Sequence, residues 1–155
     1  MKKALLAAAL LVTAAAPAAA VTETMTFSGT VNPVCTITID SPGVLVPDAT
    51  LVQLSTRQVG GTAGMATIQT TGSSFNVSTT APSAFTSAPA GADANVTFAA
   101  LYSATGATTL SDVPGATPSP LGQGTTTLNV NLTAMKSSGT FPDGEYSADL
   151  VVTCE

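Results

Sequence analysis

The chain has no histidine, no tryptophan, only four basic residues and only two cysteines among 155 positions. Without histidine there is no Ser-His-Asp triad and no Cys-His dyad, and the commonest protein metal ligand is missing. Two of the four cations, Lys2 and Lys3, sit at the extreme N-terminus, which leaves Arg57 and Lys136 for the rest of the chain. No basic patch can form from that pair, so neither nucleic acid nor an anionic lipid surface is an expected partner. Aromatic residues make up 5% of the chain. A core must therefore rest on Val, Leu, Ile and Ala, which bury less area per residue at about 25 cal/mol per Å². Such a core gains from an extra fastening.

Residues 1–20 read as a secretory signal: a basic "MKK", an apolar "ALLAAALLVTAAAP", and small residues Ala18–Ala20 where a signal peptidase cuts, before Val21. The apolar run is short for a membrane span, and no later stretch approaches spanning length. Loss of Lys2 and Lys3 leaves two cations against nine acidic residues, a net charge of −7. The product is expected to be exported to the periplasm and cell surface of a bacterium. In an oxidising compartment, Cys35 and Cys154 read as one disulfide. It would close a loop of over 100 residues, which the chain-entropy model rates at about 4–5 kcal/mol.

Beyond residue 20 helical spacing is almost absent, and several segments alternate with period two. "ANVTFAALY" aligns Val96, Phe98, Ala100 and Tyr102. "TLNVNLTAM" aligns Leu128, Val130, Leu132 and Ala134. "EYSADLVVTCE" aligns Tyr146, Ala148, Leu150, Val152 and Cys154. Weaker runs are "MATIQT", with Ala66 and Ile68, and "FNVST", with Phe75 and Val77. Between them stand turn-rich stretches such as "APSAFTSAPAGAD", "SDVPGATPSPLGQG" and "SSGTFPDGE". Short strands at this spacing predict an all-β sandwich of one domain over residues 33–155. Both cysteines fall on the apolar phase of their strands, which places a bridge inside the sandwich or at its edge.

Candidate chemistry is sparse. The acidic group "DGEYSAD" (Asp143, Glu145, Asp149) has the residue types of a calcium site or a carboxylate pair, but a turn around Gly144 accounts for it. "MKSSG" brings Lys136 beside serines without the elbow or oxyanion loop that a Ser-Lys nucleophile needs, and reads as a solvated loop. Asn76, Asn95 and Asn131 head N-x-Ser/Thr matches that Thr- and Asn-rich strands produce by chance. No catalytic residue, metal ligand or cofactor site is expected.

The most specific stretch is "MTFSGTVNPVCTITID", residues 25–40. Met25, Phe27, Gly29 and Val31 alternate. After the break Asn32-Pro33, Cys35, Ile37 and Ile39 alternate again. "FSGTVNPVCTITI" resembles the opening of bacterial chaperone–usher fimbrial subunits, and "DGEYSADLVVTCE" resembles their closing strand. The spacing is closest to the spore coat protein U-like pilins of the archaic branch. "GMATIQTTGSSFNVS" is similar to that family's second strand, turn and third strand.

The resemblance implies an immunoglobulin-like pilin sandwich lacking its last strand, completed by a neighbour's N-terminal segment through donor-strand exchange. Residues 21–32 would carry the donor strand, with Met25, Phe27, Gly29 and Val31 as its side chains and Asn32-Pro33 as the linker. The implied partners are neighbouring copies or related pilins, a periplasmic chaperone and an outer-membrane usher. Two features depart from the pattern. The family's first cysteine usually pairs near the end of the second strand, here Thr70, and the usual C-terminal aromatic is replaced by Cys154-Glu155. The alternative is a self-complete secreted β-sandwich, a surface or ligand-binding module that keeps Met25–Val31 for itself.

Overall fold

The structure is a computed structural model that describes residues 19–155. The expected signal segment lies outside the described residues except for Ala19 and Ala20. Ten strands follow: β1 (Cys35–Ser41), β2 (Val46–Pro47), β3 (Gln53–Ser55), β4 (Gly64–Thr70), β5 (Asn76–Thr80), β6 (Val96–Gly106), β7 (Leu110–Pro114), β8 (Ser119–Pro120), β9 (Gly124–Lys136) and β10 (Val151–Cys154). There is no helix among the described residues, and all pairings are antiparallel. The all-β reading holds.

Strand β9 organises the larger sheet. Its thirteen residues alternate so that Thr126, Leu128, Val130, Leu132, Ala134 and Lys136 are buried. One edge pairs with β6 from Thr126 to Lys136. The other is shared by β4, over Gly124–Val130, and β3, over Thr133–Met135. β1 extends this sheet beyond β4, β2 extends it beyond β3, and β7 extends it beyond β6. The smaller sheet runs β10-β5-β8. The strands read from periodicity are β4, β5, β6 and β9, together with the ends β1 and β10.

Ala66, Ile68, Tyr102, Ala104, Leu128 and Val130 from the larger sheet meet Val77 and Leu121 in one core, with Cys35, Ile37, Leu150, Val152 and Cys154 packed against it. A second core gathers Leu54, Phe85, Ala92, Ala134 and Phe141, with Phe98 and Tyr146 beside them. Phe85 stands at its centre, edge-on to Phe98 at 4.9 Å, to Tyr146 at 5.0 Å and to Phe141 at 6.0 Å. These aromatics fasten the 81–95 loop and the chain around 141–146 onto the sheet.

Tyr102 is fully buried, and its hydroxyl lies 2.6 Å from the Thr117 carbonyl, 2.7 Å from Ser119 Oγ and 3.1 Å from the Val77 carbonyl. It joins β6 to the smaller sheet. Tyr102→Phe leaves those buried groups short of a partner and is expected to lower stability by about 1–3 kcal/mol, read from denaturant midpoints at unchanged m-value.

Two expectations need correcting. Lys136 is not in a solvated loop. It ends β9 with its stem buried, donates from Nζ to the Ala94 carbonyl at 2.7 Å, and stands 5.2 Å over the Phe141 ring. "SDVPGATPSPLGQG" is not all turn, because it supplies β7 and β8 and buries Leu121. Pro114 and Pro120 sit at the ends of these two strands, where a missing backbone donor does least harm.

Candidate functional site

The Cys35–Cys154 disulfide joins the first strand of the larger sheet to the last strand of the smaller one, with the two Cα atoms 6.5 Å apart. Cys35 stands opposite Thr70 in the β1–β4 register, and Thr70 Oγ1 instead donates to the Gly122 carbonyl at 2.7 Å. The bridge thus crosses between sheets rather than tying β1 to β4.

Beyond the bridge the two chains bound a groove of about 1000 Å³. One wall is Ile39 and Ser41 with the 42–45 segment. The other is the chain from Phe141 to Val152, and Leu54, Thr56, Ala66, Val130 and Leu132 form the floor. Ile39 shares the inward phase of Cys35 and Ile37 yet is 65% exposed, because it looks into this open space. On the facing wall Tyr146, Ala148, Leu150 and Val152 are half-buried.

Both walls end in backbone that has no strand partner among the described residues. β1 is paired only with β4, and β10 only with β5. The Thr71 amide donates to the Val34 carbonyl. Antiparallel alternation then turns Thr36 and Thr38 toward β4, and Ile37 and Ile39 toward the free edge. On the other wall Asn76 and Glu155 exchange both backbone bonds. Thr153 and Val151 therefore face β5, while Val152 and Leu150 turn their amides and carbonyls to the free edge. An apolar floor between two unsatisfied ladders is what an extended chain fills, since it supplies backbone partners to both edges and side chains to the floor.

The walls are held in place locally. Thr56 Oγ1 donates to Asn131 Oδ1 at 2.9 Å and accepts from the Leu132 amide at 3.2 Å. Ser55 Oγ and Thr133 Oγ1 lie 2.8 Å apart. These bonds fix the floor around Leu54. Asp48 closes the turn beside it, accepting from the Thr50 hydroxyl and from the Val52 and Gln53 amides. The Thr50 bond, aided by those amides, holds the Asp48 carboxyl below its usual range. Opposite, Gly144 adopts φ +148°, and a Cβ there would come 2.4 Å from Pro89 Cγ, so only glycine lets this turn dock on the 89 region.

Tyr146 donates its hydroxyl to the Pro142 carbonyl, and burial, reinforced by Asp143, pushes its phenol above the usual value. The folded state therefore favours the neutral phenol. Its contribution is whole below the unfolded value of about 10 and is lost as pH rises through the folded one. Stability is expected to fall above about pH 10, and Tyr146→Phe should flatten that fall in denaturant midpoints taken along an alkaline series.

Asp143, Glu145 and Asp149 lie along the groove wall but do not converge. Asp149 accepts from the Thr86 hydroxyl at 2.9 Å, and no group of three acidic or cysteine side chains among the described residues could hold a metal. The segment before the domain carries no strand. Met25, Phe27 and Val31 are 77%, 87% and 90% exposed, and nothing lies within 4 Å of a Cβ built on Gly29. Asn32–Glu155 form one compact unit. No protein-family model, curated protein or solved structure matches the chain.

Proposed function

We propose that this protein is an exported structural subunit of a fimbria or surface coat, an immunoglobulin-like pilin sandwich completed by a neighbour's residues 21–31. The observation that carries the reading is the groove between the free edges of β1 and β10, with inward-phase Ile39 left 65% exposed. The segment fits the need. "MTFSGTV" is uncharged, alternates Met25, Phe27, Gly29 and Val31, and so meets the acidic rim of Asp143, Glu145 and Asp149 without like-charge repulsion. Head-to-tail contacts of this kind do not close and therefore build filaments. The disulfide fits an oxidising compartment and hence export. A periplasmic chaperone and an outer-membrane usher are the partners such a subunit would meet.

The bridge itself favours a second reading, a self-standing sandwich whose own segment folds back. Against it stands the anchoring just before β1. Val34 donates to Thr71 Oγ1 at 2.7 Å, and Pro33 packs where a Cβ on Gly72 would come within 2.8 Å. A return into the chain's own groove would have to reverse at Asn32 alone or break these contacts. The test deletes residues 21–31 and adds them back as a peptide. The truncated domain is expected to melt higher with the peptide than without it. A truncated monomer that refolds alone and ignores the peptide would sink the proposal.

A further inference from the structure

Resting on the donor-strand reading, we infer that the Cys35–Cys154 bridge is the stop that fixes where, how far and in which direction the incoming strand lies. A strand seated between two others needs its neighbours about 9.5 Å apart, twice the spacing of about 4.8 Å within a sheet. At the bridge the two wall strands stand 6.5 Å apart by their Cα atoms. No strand passes there. The groove is a slot closed at the Cys35–Cys154 end and open where Val44 and Leu45 face Gly144 and Tyr146.

Length follows from the closed end. From Ile39, the first β1 residue that lines the groove, to Leu45, this wall offers seven residues, roughly 20 Å at about 3.3 Å per residue. Met25 to Val31 is also seven residues. Val21–Thr24 then fall beyond the stop and remain outside.

Direction follows from the tether. Val31 is joined to its own folded domain at Cys35 by Asn32, Pro33 and Val34, a reach of at most about 14 Å. That domain needs room, which the open end provides. At the closed end the acceptor's own Pro33, packed on Gly72, occupies the approach. The free N-terminal end of the donor therefore points at the bridge. The strand runs parallel to β1 and antiparallel to β10, with Met25 seated by Ile39 and Val152 and Val31 seated by Val44, Leu45 and Tyr146.

A photo-crosslinking amino acid at position 25 or at position 31 of the full chain tests this. Light and heavy isotope-labelled chains are mixed during assembly so that crosslinks between copies are identified by mass. Position 25 is expected to crosslink to residues 39 and 152 of another copy, and position 31 to residues 44, 45 and 146. In the Cys35→Ser/Cys154→Ser variant, the position-25 crosslinks are expected to spread past residue 35 and to residues 154 and 155. Three results overturn the inference: the reverse assignment of the two positions, position-25 crosslinks past residue 35 in the bridged protein, or an unchanged pattern in a folded variant without the bridge. If that variant does not fold, the position map of the bridged protein decides by itself. Groove crosslinks found only within single chains, or none, refute the donor reading itself, a result distinct from a reversed or overrun register.

Discussion

Cys35→Ser together with Cys154→Ser is expected to lower stability by about 5 kcal/mol, the chain-entropy value for a loop closed across 119 positions. That loss is a large share of the 5–15 kcal/mol that holds a typical domain together. Two circumstances keep it from being offset. The core is poor in aromatics, and β1 and β10 each lean on a single neighbouring strand, so the bridge is the covalent tie across the groove. In thermal melts the double variant should unfold on the order of 15–20 °C lower than the oxidised protein. A shift of only a few degrees would mean that the sheets hold their spacing without the bridge.

Phe85→Ala is expected to cost about 3–5 kcal/mol, the range for deleting a buried phenylalanine. Phe85 is 8% exposed and touches three other aromatic rings at once, which adds edge-to-face contacts to its buried area. Its loss also frees Phe141 and Tyr146, so the groove wall they carry should loosen with the core. Val59→Ala, at a side chain 97% exposed, is the control and should stay within about 0.5 kcal/mol. Denaturant midpoints for the two variants separate a keystone from a bystander. Equal midpoints would remove Phe85 from that role.

The contrast between these residues also says what could be read from the sequence. Period-two alternation located β4, β5, β6 and β9 because each has one face on a core, and burial imprints itself on every second residue. The cysteine count and compartment argument paired Cys35 with Cys154 correctly. Phe85 was invisible: it stands alone in "APSAFTSAPAGAD", a stretch with every mark of a loop, and nothing periodic points to a lone anchor. β7 and β8 were hidden by their prolines. In "EYSADLVVTCE" the phase from Tyr146 to Cys154 was right, yet only Val151–Cys154 forms a ladder. Upstream, Ser147 meets Ser87 in an isolated bridge and the turn at Gly144 docks on Pro89, so the chain is held without being paired along its length. The groove had no signature of its own. It comes from which strand edges the topology leaves unpaired, and the short segment around Val44 and Leu45 that lines it carries no alternation.

The proposed occupant of the slot between β1 and β10 is the Met25–Val31 run of another copy's 21–31 segment. An unboiled denaturing gel of native material, run beside a boiled sample, tests it most directly. Strands held by two hydrogen-bonded ladders and a row of buried side chains should survive the detergent until heated. The unboiled lane should show a ladder of multiples that collapses to monomer on boiling and is absent when residues 21–31 are deleted. A single monomer band in the unboiled lane would contradict it.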